Sequence, residues 1–93
     1  MARLTEQDIA TRLKSAAGWR RAGDAIRKTF TFGKFAEGIR FVDRVAVAAD
    51  AMDHHPDIDV RYTTVTMTLT THSSGGLTNK DFKLAAKIDA AVR

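Results

Sequence analysis

The residues best suited to acid–base chemistry are crowded into one stretch. All three histidines of the chain, His54, His55 and His72, lie between Asp50 and Asp81, together with its only proline, Pro56, and its only tyrosine, Tyr62. Histidine titrates near neutral pH, with an unperturbed pKa of about 6.5, and is the commonest general acid or base. Asp50, Asp53 and His54 fall at offsets of three and four along a helical pattern, which predicts one shared face in the last turn of a helix. Neighbouring carboxylates and the negative helix C-terminus would both favour an imidazolium at position 54. The plainer reading, two solvated carboxylates and a capping histidine, is the one that spacing alone favours. His55 is expected at a helix end and His72 at a strand end beside the Ser73–Gly76 loop, places where functional groups gather. Three histidines are also enough for a catalytic zinc. Side chains of the adjacent His54 and His55 diverge, however, and no metal is expected. Asp81 stands three residues after Thr78 and reads first as a capping-box acid, while Thr70 and Thr71 read as strand residues.

The elements that must position these groups follow from periodicity. Thr5 and Asp8 resemble a capping box, and Ile9, Leu13 and Ala16 then repeat at helical spacing up to Gly18. Trp19 reads as a core or interface anchor. Arg20–Asp24, with Gly23, predicts a short strand turning into a second one. In that second strand Ile26, Lys28, Phe30 and Phe32 face one way, and Arg27, Thr29 and Thr31 the other. From Phe35 to Asp53 the pattern is helical. Phe35, Ile39, Val42, Ala46, Ala49 and Met52 mark the expected buried stripe, widened by Phe41, Val45 and Val47. Gly38 costs this helix about 1 kcal/mol relative to alanine unless it allows a close approach. Pro56 ends the helix near His54. Val60 to His72 alternates as a strand, with Val65, Met67 and Leu69 on one face and Tyr62, Thr64, Thr66, Thr68, Thr70 and His72 on the other. Leu84, Ala85, Ile88 and Val92 give the last helix its buried side. The sum is an α+β fold, with three helices packed on one face of a four-stranded antiparallel sheet. The threonine-rich second face is a candidate subunit surface.

Composition narrows the function classes. Ninety-three residues make one domain, 1–93, with a thin core. The chain is 44% apolar and 28% charged, a globular rather than disordered balance. It has no cysteine, which excludes disulfides and thiolate metal sites. No apolar run is long enough to span a membrane and the start lacks a signal-peptide core, so a cytoplasmic protein is expected. A net charge of +4 raises nucleic acid as a partner, but the basic residues are scattered. Their densest cluster is Arg20, Arg21, Arg27 and Lys28, which reads as a solvated face, and a nucleic-acid role is not expected.

Taken together, the motif D-x-x-D-H-H-P, then Tyr62, then T-T-H, then G-G-L-T-x-x-D resembles the pterin-4a-carbinolamine dehydratase family, in its bacterial wording D-I-D-V-R-Y. Gly18-Trp19, the Ile26–Phe32 strand and the helix from Phe35 fit as well, so the resemblance covers nearly the whole chain. It implies an α+β fold with four strands and three helices, assembled as a homodimer or homotetramer. The implied reaction is dehydration of 4a-hydroxytetrahydropterin to quinonoid dihydropterin in tetrahydropterin recycling, with no cofactor. The family's histidines fall on His54, His55 and His72, its acidic position on Asp50 and its motif aspartate on Asp81. Its pterin contacts fall on Asp53, His54, His55, Thr70, Thr71, His72 and Ser73. One departure is Ile58, where animal members carry tryptophan. Animal members also bind a homeodomain protein, which nothing in this sequence supports.

The bottom-up chemistry agrees with that reading. Hydroxide leaving C4a needs a proton, and a ring nitrogen must lose one. His54 and His72 are expected to share this work, with His55 positioning the pterin. Asp50 is expected to orient His54, and Asp81 to orient His72 or only cap its helix. The alternative is a non-catalytic dimeric scaffold, or a transcription or assembly cofactor, of the same fold. Loss of a histidine would favour it, and this chain keeps all three.

Overall fold

The computed structural model describes residues 2–93. Its elements run α1 (Glu6–Lys14), β1 (Arg20–Ala22), β2 (Ala25–Thr31), α2 (Phe35–Met52), β3 (Asp57–Arg61), β4 (Thr64–Leu69) and α3 (Asn79–Ala90), with a 3₁₀ turn at His72–Ser74. The four strands form one antiparallel sheet in the order β1-β2-β4-β3. The expected α+β architecture, three helices with a four-stranded sheet, is what the chain adopts.

Strand register explains the two unlike faces. Phe30, Val65 and Val60 form one cross-strand row, and Lys28, Met67 and Ile58 the next, with Ile26 opposite Leu69. Ile26, Val65, Met67 and Leu69 are sealed from solvent on this side. Phe41 and Val45 of α2, Leu84 and Ile88 of α3 and Ile9 of α1 join them in one core. Each such side chain contributes about 1.5–3 kcal/mol of transfer free energy. Phe41 stacks between Phe30 and Phe32, with ring centroids 4.8 and 5.1 Å away. The opposite face carries the rows Thr31–Thr64–Arg61, Thr29–Thr66–Asp59 and Arg27–Thr68–Asp57 and has no helix against it.

Helix ends follow the sequence signals. Thr5 and Asp8 close a capping box on α1, and Thr78 and Asp81 close one on α3. Trp19 is a core anchor whose indole N–H donates to the Asp89 carboxylate at 3.1 Å. α1 stops at Lys14, short of Gly18.

Three local expectations are corrected. The buried stripe of α2 is Gly38–Phe41–Val45–Ala49, with Phe35 exposed and Val47 72% exposed. A hydrophobic count overlooks glycine, yet Gly38 is where the helix closes on Phe32 and Val65. The Val60–His72 stretch is not one strand. It turns at Tyr62–Thr63, with Tyr62 at φ 50° and solvent-exposed, so β3 begins earlier, at Asp57. No glycine, proline or asparagine marks that turn. Val92 is exposed and Ala91 takes its place in the core.

A methyl group at position 38 would meet Phe32 Cδ2 and Val65 Cγ2 at 3.4 Å, an ordinary contact distance. Gly38→Ala should therefore leave stability unchanged or raise it by up to about 1 kcal/mol in urea unfolding. A loss larger than that would mean the helix–sheet spacing has no room for a methyl.

Candidate active site

α2 ends in a Schellman motif. Asp53 takes the left-handed conformation (φ 50°, ψ 43°), its N–H donates to the Asp50 carbonyl, and the His54 N–H reaches back to the Ala49 carbonyl at 3.1 Å. Asp53 and His54 therefore lie outside the helix, and the face expected to join them to Asp50 does not exist. The reversal sends the two adjacent histidines into opposite environments. His54 is buried, while His55 is exposed.

The partners are correspondingly rearranged. His54 Nε2 lies 2.6 Å from Asp81 Oδ1, and His55 Nε2 lies 2.9 Å from Asp50 Oδ1. Asp50 thus orients His55 rather than His54, and Asp81 orients His54 rather than His72. Asp81 also caps α3, accepting from the Thr78 N–H at 2.9 Å. The expected cap is present, while the histidine Asp81 holds is His54 and not His72.

Asp81 is 0% exposed and sits in a closed polar network. Thr71 Oγ1 donates to Asp81 Oδ2 at 2.8 Å. Its single hydrogen is then spent, so in the 2.9 Å contact between the two hydroxyls Thr78 Oγ1 donates to Thr71 Oγ1. Thr78 Oγ1 in turn accepts from the Lys80 N–H at 3.3 Å. No buried side-chain polar atom among the described residues lacks a partner. An ionised carboxylate only accepts, so His54 Nε2 carries a hydrogen. Nδ1 has no protein partner among the described residues and is not sealed from solvent. It bears a lone pair in the neutral ring and an N–H in the imidazolium, so one atom can take or give a proton.

His72 opens the 3₁₀ turn beyond Thr71. Thr71 faces Asp81, and its neighbours Thr70 and His72 line a depression of about 280 Å³ with Asp24, Ala25, Gly75 and Gly76. Neither His54 nor His55 lines it. Thr70 Oγ1 donates to the Asp24 carbonyl at 2.6 Å, and Ser73 is exposed. Thr71 and Gly76 bridge the loop base through reciprocal backbone bonds of 3.2 and 3.3 Å. Gly75 caps the turn at φ 74°. A Cβ on Gly76 would come within 2.7 Å of the Arg3 stem, and Arg3 Nη1 donates to the Gly75 carbonyl. Asp24 and the N-terminal Arg3 were invisible to motif reading, being remote in sequence with no distinctive spacing. Thr78 was legible as a cap but not as a network member. Among the described residues no three His, Cys, Asp or Glu side chains gather as a metal site.

The two His–Asp pairs should respond differently to truncation. Asp81→Ala leaves His54, the Thr71 hydroxyl and the Thr78 N–H without their buried acceptor, and should cost about 3–5 kcal/mol in denaturant unfolding. Asp50→Ala removes an exposed partner and should cost under about 1 kcal/mol. Equal losses would contradict the burial argument.

Comparison with known proteins matches the chain to a family. The model of the family described as pterin 4 alpha carbinolamine dehydratase matches residues 2–91. A protein of Mycobacteroides abscessus, provisionally named a pterin-4-alpha-carbinolamine dehydratase, is 49% identical over 92 residues, covering 99% of this chain and 98% of its own. One from Roseiflexus with the same provisional name is 53% identical over 87 residues, 94% of each chain. Among solved structures, a transcriptional coactivator/pterin dehydratase from Brucella melitensis superimposes with a TM-score of 0.94 at 35% identity, covering 98% of this chain and 99% of that one. A pterin dehydratase-like protein identified as a RuBisCO assembly factor in the alpha-carboxysome superimposes with a TM-score of 0.69 at 29% identity, over 81% and 89% of the two chains. By sequence along nearly its whole length, this chain belongs to the pterin 4 alpha carbinolamine dehydratase family.

Proposed function

We propose that residues 1–93 act as one dehydratase domain that converts 4a-hydroxytetrahydropterin to quinonoid dihydropterin and water, in tetrahydropterin recycling. The observation that carries this reading is the His54–Asp81 pair, a buried carboxylate holding one ring nitrogen and leaving the other free. The C4a–O bond breaks as an imidazolium N–H protonates the departing hydroxyl. A second histidine takes the proton from a pterin ring nitrogen, and the C=N bond forms. His54 Nδ1 and the ring of His72 share these two steps, while His55, steadied by Asp50, positions the pterin. Asp53, Thr70 and Ser73 contribute polar contacts. Thr71, expected among the pterin contacts, acts instead by holding Asp81, because its hydroxyl hydrogen is committed to that carboxylate and its N–H to the Gly76 carbonyl. General acid–base steps of this kind are worth about 10²–10⁴-fold. His54→Ala and His72→Ala should each lower the dehydration rate of freshly generated 4a-hydroxytetrahydropterin toward the spontaneous rate, with His55→Ala less affected. Full activity in His72→Ala would remove that residue from the mechanism.

A second reading, a non-catalytic scaffold or assembly cofactor, is favoured by the likeness to the RuBisCO assembly factor. Wild-type protein that gives no acceleration over the spontaneous rate would select it.

Either reading is served by self-association, expected as a homodimer or homotetramer. β3 pairs only with β4, leaving its outer edge free, and all five of its residues are exposed. Antiparallel pairing of two copies centred on Asp59 sets Asp57 opposite Arg61 and Ile58 opposite Val60, with Asp59 facing its own copy. This covers Ile58 and Val60, now 38% and 37% exposed. Ile58→Lys combined with Val60→Lys should shift sedimentation toward a smaller species than wild type. An unchanged assembly would exclude this edge.

A further inference from the structure

The basic cluster in β1 and β2 has no part in the site described above. Arg20 and Arg27 stand directly opposite each other in the β1–β2 register, on the helix-free face of the sheet. Like charges in that relation are destabilising. They line the rim of a depression of about 420 Å³ with Gly18, Arg21, Ala22, Lys28 and Thr29, and no acidic residue contributes to the lining. Two of its four cations already have partners. Arg21 forms a two-pronged pair with Glu6, at 2.9 and 3.1 Å, and this hydrogen bonding holds the Glu6 carboxyl below the usual glutamate range. Lys28 lies across Gly18 and ends on Asp89 at 2.8 Å and the Ala17 carbonyl at 2.9 Å. The other two have no carboxylate partner. Arg27 spends Nε on the Thr68 hydroxyl at 3.3 Å, and among the described residues no carboxylate bonds Arg27 or Arg20. The acidic residue sharing the row of Arg27 is Asp57, two strand spacings away, about 10 Å.

We propose that the Arg20–Arg27 pair forms a binding site for a phosphorylated small molecule, with the two guanidinium forks closing on one phosphate or diphosphate group. Two planar forks from adjacent strands match the oxygens of such a group, and the missing counter-charge is the one the ligand supplies. A ligand held there touches neither His54 nor His72, so the site is independent of the dehydration reading.

The test is calorimetric titration of the wild-type protein with inorganic pyrophosphate at low and physiological salt. Arg20→Gln and Arg27→Gln should each weaken binding roughly tenfold or more. Arg21→Gln, which removes an already paired cation, should change it by less than about threefold. Circular dichroism checks that each variant is folded, and Arg27→Lys, which keeps the charge but not the fork, should bind more weakly than wild type. The proposal is overturned by an absence of binding at millimolar pyrophosphate. It is equally overturned by affinity unchanged in Arg20→Gln and Arg27→Gln, or by binding of a DNA oligonucleotide without binding of pyrophosphate, which would assign the face to a polyanion.

Discussion

The Asp81 carboxylate is the interaction on which the rest depends. An ionised carboxylate taken fully out of water costs several kcal/mol unless its surroundings replace the lost hydration. Here three donors do so, from His54, Thr71 and Thr78, and the positive end of α3 adds to them. Those donors come from the end of α2, the end of β4 and the start of α3. One side chain therefore fixes where three chain segments meet. The fold at this corner and the candidate chemistry are not separable properties.

The same geometry explains why two neighbouring histidines are not equivalent. His54 is held by a buried anion inside a network in which every hydroxyl hydrogen has an assigned direction. His55 meets an exposed Asp50 at the solvent-facing surface, where screening and side-chain entropy leave little net attraction. The Schellman turn at Asp53 creates the difference, because it reverses the chain between Met52 and Pro56. His72 is tied to His54 only indirectly. Thr71 reaches inward to Asp81, and the following residue opens onto the depression that it lines with Thr70.

Much of this was legible in the residues themselves. Alternation placed Ile26, Phe30, Val65, Met67 and Leu69 inward, and both capping boxes announced their helices. The D-H-H-P and T-T-H motifs pointed to segments that do meet, through the contacts of His54 and Thr71 with Asp81. The pairing of acids with histidines was not legible. Offsets of three and four are meaningful only while a helix continues, and α2 stops one residue too early for Asp53 and two for His54. Asp81 and His54 are remote in sequence, and their contact depends on tertiary packing that no local pattern encodes. The Tyr62–Thr63 turn was hidden for a related reason, since β-branched and aromatic residues carried it in place of the usual turn formers.

Position 53 carries a further consequence. A left-handed C′ residue is the usual place for glycine, and a side chain there costs on the order of 1 kcal/mol of backbone strain. This chain bears that strain with a carboxylate at the position before His54. A search for thermostable variants would therefore be drawn to glycine at this site, relaxing the backbone while erasing a charge beside the histidines. Stability and local charge are opposed at this one residue, and a screen that scored melting temperature alone would select against the carboxylate.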